Sequence, residues 1–572
     1  MRRTALVVTL ALLAPAPRLA AVDPPNPGRH LNRGPDNPSA RLSAGDTGML
    51  DVPTQVTTGT KLAVILVVDQ MRADYVDRFK GDWTAGLKRL VSDGAWFTKA
   101  AYPYLLTITC PGHATISTGA FPSTHGVFSN QWWDRESKRQ MQCVDDPSAT
   151  NFGYDGPGKD HNSGYRLQVQ TFADRLRAER GARVVTLSAK ARSAIMLAGH
   201  GGDAVTWLSE ASDTWVTSSA FAAAPVPEVQ RFIAAHPVQA DFGKSWTRLP
   251  ATGGAAVDAA PGERPPAGWK STFPHVLSGT SGQPDSAFRA QWDTSPFADA
   301  YLGAMAASLV DQFRLGTHEG IDLLGVSFTG LDRVGHKFGP RSQEVRDQLA
   351  RLDATIGALL EHLDRSVGEG RYVVALSADH GITPIPEQLL TEHADAGRIQ
   401  ASQIVERVEA ILAPALGTGA NVAKLDGRDG NLYFENGVYE RLRASPRLLN
   451  RVVRAIASAP GIARVYRSEE LKGARNDADP WRRAAALSYV EGRSGDLVLA
   501  PRPGWVASTE AAAHGTASAD DQRVPILLMG YGIKAGRYDQ PVTPADIAPT
   551  LAAICGVSLP QAEGRALGAA LK

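Results

Sequence analysis

The sequence predicts an α/β fold: a doubly wound, mostly parallel central sheet with helices on both faces and an inserted cap. Three observations carry this. Unbroken apolar runs recur and are closed by charge, the pattern of strands buried on both faces of a parallel sheet. Amphipathic helical patterns lie between them, notably Gln343 to Leu363, which is the alternation of a doubly wound sheet. Three of the runs end in an aspartate, and the ends of parallel strands are where such folds place ligands.

At 572 residues the chain exceeds what one hydrophobic core normally supports. The expected organisation is a signal peptide at 1–21, an N-terminal extension at 22–60 and a catalytic domain at 61–572. Insertions are expected at about 205–300 and about 382–500. Lys+Arg 60 against Asp+Glu 59 gives no reason to invoke nucleic acid or an anionic membrane surface. The start, MRRTALVVTLALLAPAPRLAA, places Arg2 and Arg3 before a short apolar run and then small residues, as a secretory signal does. A twin-arginine signal and a short N-terminal anchor are the alternatives. No later segment reaches the ~18 apolar residues of a membrane span. The expectation is a periplasmic or secreted monomer without a stable membrane anchor.

Taken in order, the chain passes from a Pro-, Gly- and Asn-rich leader into Lys61-Leu-Ala-Val-Ile-Leu-Val-Val-Asp69, the first buried strand and its acid. Next comes AYPYLLTITCPGHATISTG, Ala101 to Gly119. Pro111 suits the first turn of a helix, so Thr109 would lie at or just before its N-terminus. There it faces free N–H groups and the positive end of the dipole, a seat for phosphate. Taken alone, Thr109 is an ordinary capping residue.

Two further strands follow the same grammar. Ile321 to Phe328 leads into Thr329-Gly-Leu-Asp332-Arg-Val-Gly-His336, and Arg371 to Ala378 leads into Asp379-His380-Gly381. Residues from about Val205 to Ala300 show weak periodicity, which suggests the first insertion. Helical patterns at Ala401–Leu416 and Pro446–Ser458 surround a hairpin pattern at Ala423–Phe434, which suggests a small α+β cap. Val524-Pro-Ile-Leu-Leu-Met returns to the buried-strand pattern, and Thr543-Pro544 starts a final helix.

Asp332 and His336 stand four residues apart and can address one ion, although Gly335 makes a turn as plausible as a helix. His514 sits in a loop of small residues. Carboxylate with imidazole and without thiolate suits Zn²⁺ or Mn²⁺, with zinc favoured where histidines contribute. Three cysteines, Cys110, Cys143 and Cys555, allow at most one disulfide, and export permits one without requiring it. Cys110 lacks the C-x-P-x-R setting of a sulfatase nucleophile and reads as a small packing residue.

As an ordered set, Asp69, Thr109-Cys-Pro-Gly-His113, Asp332-x-x-x-His336, Asp379-His380 and His514 resemble the alkaline phosphatase superfamily. Within it the chain resembles the nucleotide pyrophosphatase/phosphodiesterase-like branch and its threonine-type single-chain bacterial alkaline phosphatases. The resemblance implies two zinc ions, one on Asp332, His336 and His514, the other on Asp69, Asp379, His380 and the Thr109 oxygen. Two such ions clamp a phosphoryl group and activate Thr109 as nucleophile, giving a phospho-threonine that water then hydrolyses. It also implies that the Asn130 amide contacts a phosphoryl oxygen and that Lys190 and Arg192 form a K-x-R pair. A phosphate monoester carries up to two charges and a diester one, so that pair favours the monoester. The expected activity is zinc-dependent alkaline phosphatase action on small phosphate esters, with secondary diesterase activity. The alternatives are a phosphodiesterase/nucleotide pyrophosphatase and, from another class, an inactive binding protein on the same fold.

Overall fold

The computed structural model describes residues 59–250, 259–417, 421–427 and 429–572. The expected signal peptide, and all of the expected extension except its last two residues, lie outside them.

Ten strands form the main sheet, in the order Gly536–Val542, Ala95–Ala100, Ile526–Gly530, Tyr372–Ser377, Leu62–Val68, Asp322–Phe328, Val184–Ser188, Ala204–Ser209, Thr214–Ser218 and Asn151–Gly153. The five from Tyr372–Ser377 to Ala204–Ser209 are parallel neighbours. Ile526–Gly530 runs antiparallel to both of its neighbours, and the far edge turns back through two antiparallel pairings. The result is a mixed sheet around a parallel centre.

Leu62–Val68 lies in the middle, with all seven residues buried. Leu62, Val64, Leu66 and Val68 join the apolar core on one face, which takes in Leu302, Leu309, Leu352 and Ile356. Ala63, Ile65 and Val67 join the core on the other, with Ile116, Leu176 and Leu551. Successive side chains of a strand point to opposite faces, so a strand with a core on each side is apolar throughout. The first core is closed by the helices Pro296–Gln312 and Gln343–Leu363. The second is closed by Phe172–Arg180, Thr109–Thr118 and Ile547–Cys555.

Two local expectations differ from the structure. The first insertion was expected from about 205, yet Ala204–Ser209 and Thr214–Ser218 are buried strands of the main sheet. Their composition hides this. Trp207 and Trp215 fill core space, and the Thr206 hydroxyl pairs with Tyr154 Oη at 3.1 Å, so polar residues stand where the other strands carry aliphatics. At the C-terminus, Pro544–Asp546 is a 3₁₀ turn and the α-helix begins only at Ile547.

The stretch expected as the second insertion holds a four-stranded antiparallel sheet, Val422–Asp426, Asn431–Phe434, Leu497–Pro501 and Ile462–Arg467. The helices Ala401–Leu416 and Pro446–Ala457 pack on it around their own core of Val408, Leu412, Leu432, Val452 and Leu499.

Candidate active site

Strand register alone gathers the acids. Val67 lies opposite Ser327 on one side and Ser377 on the other, and Ser327 lies opposite Ser188. Four neighbouring parallel strands therefore end at one edge, where Asp379, Asp69, Asp332 and Lys190 follow them. This is the edge at which doubly wound sheets bind ligands.

The Thr109–Thr118 helix brings its first residue to the same place. Ile108 is extended and Thr109 is already helical, so Thr109 stands in the first turn. The helix approaches closely because residue 112 is glycine: a Cβ there would lie 2.2 Å from the Asp379 carbonyl oxygen. His113 anchors it further. Its Nδ1 donates to the Thr109 carbonyl at 2.9 Å, and its Nε2 lies 2.8 Å from the Ser327 hydroxyl. Thr109 Oγ1 stands 3.5 Å from His380 Nε2. Asp332 and His336 lie one turn apart on the helix Gly330–Phe338, which resolves the choice between helix and turn left by Gly335. Gly335 serves close approach, since a Cβ there would lie 1.9 Å from Gln70 Oε1.

The donor chemistry of the cluster is one-sided. Nδ1 of His336, His380 and His514 lies 2.8, 2.9 and 3.0 Å from the carbonyls of Ala512, Gly381 and Thr107. A carbonyl only accepts, so each Nδ1 carries the hydrogen and a neutral ring turns the Nε2 lone pair inward. Burial holds the His380 and His514 rings below the ordinary imidazole range, and His380 and His336 lower His514 further. These lone pairs face carboxylates, which also only accept. Nε2 of His336 is 3.2 Å and Nε2 of His514 is 3.8 Å from Asp332 Oδ1, and His380 Nε2 is 3.4 Å from Asp379 Oδ2 and 3.5 Å from Asp69 Oδ1. Asp69 Oδ1 and Asp379 Oδ2 are fully buried and accept no hydrogen bond. Buried acceptors without donors are expensive, and a cation is what such a set fits.

Two groups of side chains stand close enough to share an ion: Asp332, His380 and His514, and Asp69, Asp379 and His380. His380 lies in both, its ring stacked on His514 with centroids 3.5 Å apart, and His336 Nε2 stands 3.2 Å from Asp332 Oδ1. The charges agree with a cationic occupant. Burial raises the Asp69 carboxyl well above its ordinary range, and repulsion from Asp332 and Asp379 adds to this. Burial also pushes Asp332 up, but the charges around it, the Lys190 ammonium foremost, hold that carboxyl well below the ordinary range.

Lys190 was expected on the phosphate. Its ammonium bonds Asp69 Oδ2 at 2.6 Å and Asp332 Oδ2 at 2.5 Å, because the strand end places it between two carboxylates. Arg192 is adjacent, its Nε buried and without a partner, and burial depresses its ionisation. Asn130 accepts the Cys110 N–H on its Oδ1 at 2.8 Å. Cys110, read as a packing residue, is in fact disulfide-bonded to Cys143, whereas Cys555 is a buried free thiol. Gln70 escaped the sequence reading. Its Nε2 donates to Asp332 Oδ1 at 2.7 Å and its backbone N–H to Asp379 Oδ1 at 3.1 Å. Its only sequence signal was its place directly after Asp69.

Comparison with known proteins places the chain in a family. The family model described as type I phosphodiesterase / nucleotide pyrophosphatase matches residues 63–521. The chain is 31% identical over 540 residues to the alkaline phosphatase PhoK of a Sphingomonas species, covering 89% of this chain and 91% of PhoK. It is 28% identical over 525 residues to the alkaline phosphatase PafA of Elizabethkingia meningoseptica, covering 90% and 95%. The crystal structure of wild-type PafA superposes with a TM-score of 0.81 at 27% identity, covering 90% of this chain and 99% of that one. Murine ectonucleotide pyrophosphatase/phosphodiesterase 5, at 13% identity and a TM-score of 0.50, shares the fold.

Proposed function

The chain belongs to the type I phosphodiesterase / nucleotide pyrophosphatase family, and from that premise we propose that it is an alkaline phosphatase. It hydrolyses phosphate monoesters through a covalent phospho-threonine on Thr109. The observation that carries this reading is the acceptor-only ligand cluster built around a threonine in the first turn of a helix. Phosphatase relatives covering about nine-tenths of the chain support it, as does a solved PafA variant altered at one threonine, one asparagine, one lysine and one arginine. Those are the residue types of Thr109, Asn130, Lys190 and Arg192.

Asp69, Asp332, Asp379, His336, His380, His514 and Thr109 would hold two zinc ions. When bound, such ions withdraw charge from the ester oxygens and lower the pKa of an attacking oxygen. The residues of the chain do the rest. Thr109 Oγ1 gives up its proton to solvent and attacks phosphorus, the P–O bond to the leaving group breaks, and the departing oxygen takes a proton from solvent. Water then attacks the phospho-threonine, releasing phosphate and restoring the hydroxyl. The dipole of the Thr109 helix favours the negative charge that Thr109 carries in between. With Asn130 Oδ1 engaged by the Cys110 N–H, the amide hydrogens of Asn130 remain to donate to a phosphoryl oxygen. The Lys190 ammonium has a third hydrogen beyond its two carboxylate bonds, and Arg192 offers its unpartnered Nε–H. Together they favour the more highly charged ester.

The family description itself favours a second reading, a phosphodiesterase. The deciding measurement is kcat/KM on an aryl phosphate and a bis-aryl phosphate, with metal content determined on the same preparation. We expect a monoester preference and about two zinc ions per chain. Thr109→Ala should lose at least about 10³-fold in kcat. Lys190→Ala with Arg192→Ala should harm monoester turnover more than diester turnover. A strong diester preference in the native enzyme would overturn the phosphatase assignment. Export to the periplasm or beyond belongs to the same proposal. A buried disulfide supports it, because such bonds persist in oxidising compartments. Among the described residues, no helix is long and apolar enough to cross a membrane.

A further inference from the structure

We propose that the Cys110–Cys143 disulfide is a positioning device for Asn130, holding that amide in register with Thr109. This rests on the phosphatase reading above. Cys110 directly follows Thr109 in the first turn of its helix. Cys143 directly follows the strand Arg139–Gln142, whose hairpin partner Gln131–Asp134 begins directly after Asn130. The bridge therefore joins the residue after the nucleophile to the hairpin that carries the amide.

Both cysteines also bond to Asn130 itself. The Cys110 N–H donates to its side-chain Oδ1 at 2.8 Å, and the Cys143 N–H donates to its backbone carbonyl at 2.9 Å. Asn130 is thus gripped at side chain and main chain by the two halves of one cystine, and the sulfurs close the ring covalently. Both cysteines are fully buried, so the tie lies beneath the site and off the substrate's path.

Asn130 needs such a tie. It is the residue before the hairpin, outside any strand, and only half-buried. Asp426 holds the hairpin near it, accepting from Gln131 Nε2 at 3.3 Å and Gln140 Nε2 at 2.9 Å, and that hold fixes it to the inserted subdomain. Trp132 of the hairpin packs in one apolar core with Ile108, Cys110 and Ala114, but such packing is non-directional and does not aim the Asn130 amide. The disulfide adds a short covalent link between the hairpin that follows Asn130 and the residue after Thr109. A donor displaced by about 1 Å from a developing phosphoryl charge loses up to about 10²-fold in rate.

The test is a cycle on the zinc-loaded enzyme: Cys110→Ser with Cys143→Ser, Asn130→Ala alone, and the three changes together. Each is assayed for kcat/KM on an aryl phosphate and scaled to the folded fraction. The double serine variant should lose about tenfold or more, and no more than Asn130→Ala loses. The triple variant should match Asn130→Ala within about twofold, since an amide that is gone cannot be misplaced. A bridge that only stabilises the fold would lower the melting temperature and leave kcat/KM of the folded double variant unchanged, which overturns the proposal. Losses that multiply in the triple variant overturn it too, because the bridge would then act elsewhere. Should the double variant not fold, the native enzyme is reduced with a phosphine and reoxidised. The loss should be reversible and absent from Asn130→Ala. The parent reading fails separately: if Thr109→Ala keeps full activity the phosphatase assignment is wrong, whereas an intact Thr109 and Asn130 dependence with no effect of the serines sinks this inference alone.

Discussion

Gln70 stands with a φ of +72°, a conformation that costs a non-glycine residue about 1–2 kcal/mol. What it gains is contact with both acidic groups: its N–H reaches Asp379 and its side chain reaches Asp332. Partners that orient a ligating carboxylate typically change metal affinity by about 10–100-fold when removed. Gly335 makes room for Gln70, so Gly335→Ala should push the amide off Asp332. The expected outcome is a zinc requirement for half-maximal phosphatase activity raised by about 10–100-fold, with kcat largely recovered at high zinc. Gln70→Ala should move the requirement in the same direction. A zinc dependence unchanged in both variants would remove Gln70 from the site. Neither residue's task was legible in the sequence, because each depends on a partner some 260 residues away. Asp69 and Asp379 were legible as candidates because each directly follows a buried-strand pattern, whereas His514 lies in a loop that no strand pattern marks.

The helix that carries Asp332 and His336 starts at Gly330, and its first N–H groups are capped from another element. Asp299 Oδ1 accepts from the N–H groups of Thr329 at 3.1 Å and Gly330 at 3.0 Å, and Oδ2 accepts from Gln348 at 2.7 Å. Burial outweighs these bonds and pushes the Asp299 carboxyl from 3.8 up to about 6. The raised value fixes the sign. The folded protein holds this proton more tightly than the unfolded chain, so the contribution to stability is present below about pH 4 and is lost as pH rises to about 6. A rise from 3.8 to about 6 corresponds to at most about 3 kcal/mol. Asp299→Asn keeps an acceptor for the helix and cannot titrate. The difference in urea stability between the two proteins should therefore shift toward the variant between pH 4 and 6 and be flat on either side. Metal-ligand titration is common to both and cancels. A difference constant from pH 4 to 7 would mean that Asp299 does not ionise there. Helix Gln343–Leu363 could be read from its period alone, but its role in steadying Asp299 through Gln348 could not. The strands at 204–209 and 214–218 were missed for a related reason, as their tryptophans and hydroxyls are buried by tertiary packing that local periodicity does not encode.

Across the whole molecule, one architectural fact sets the electrostatics: adjacent parallel strands deliver three buried aspartates to a single edge, and one lysine is delivered with them. The fold class followed from the apolar runs, and the acids at their ends followed from the same runs. The strand order that makes the three acids neighbours is a property of the assembled sheet. It has a thermodynamic consequence that opposes the functional one. Asp69 is raised well above the ordinary carboxylate range by burial and by Asp332 and Asp379, so the fold alone holds its ionised form poorly. A cation that binds the folded state alone stabilises it by about 4 kcal/mol when present at 1,000 times its dissociation constant. Zinc removal should therefore lower the melting temperature of the native enzyme, and zinc readdition should restore it. Asp69→Asn removes one of three carboxylates crowded at this edge while Lys190 keeps Asp332 as its partner, a change worth about 1–3 kcal/mol in the absence of the cation, and it also removes a candidate ligand. The stripped variant should then melt above the stripped native enzyme, with the order reversed once zinc is added. Melting scans at one rate on the four samples decide the matter. If the variant melts lower in both conditions, Asp69 is held by the fold for packing or hydrogen bonding, and charge repulsion is not what the cation relieves.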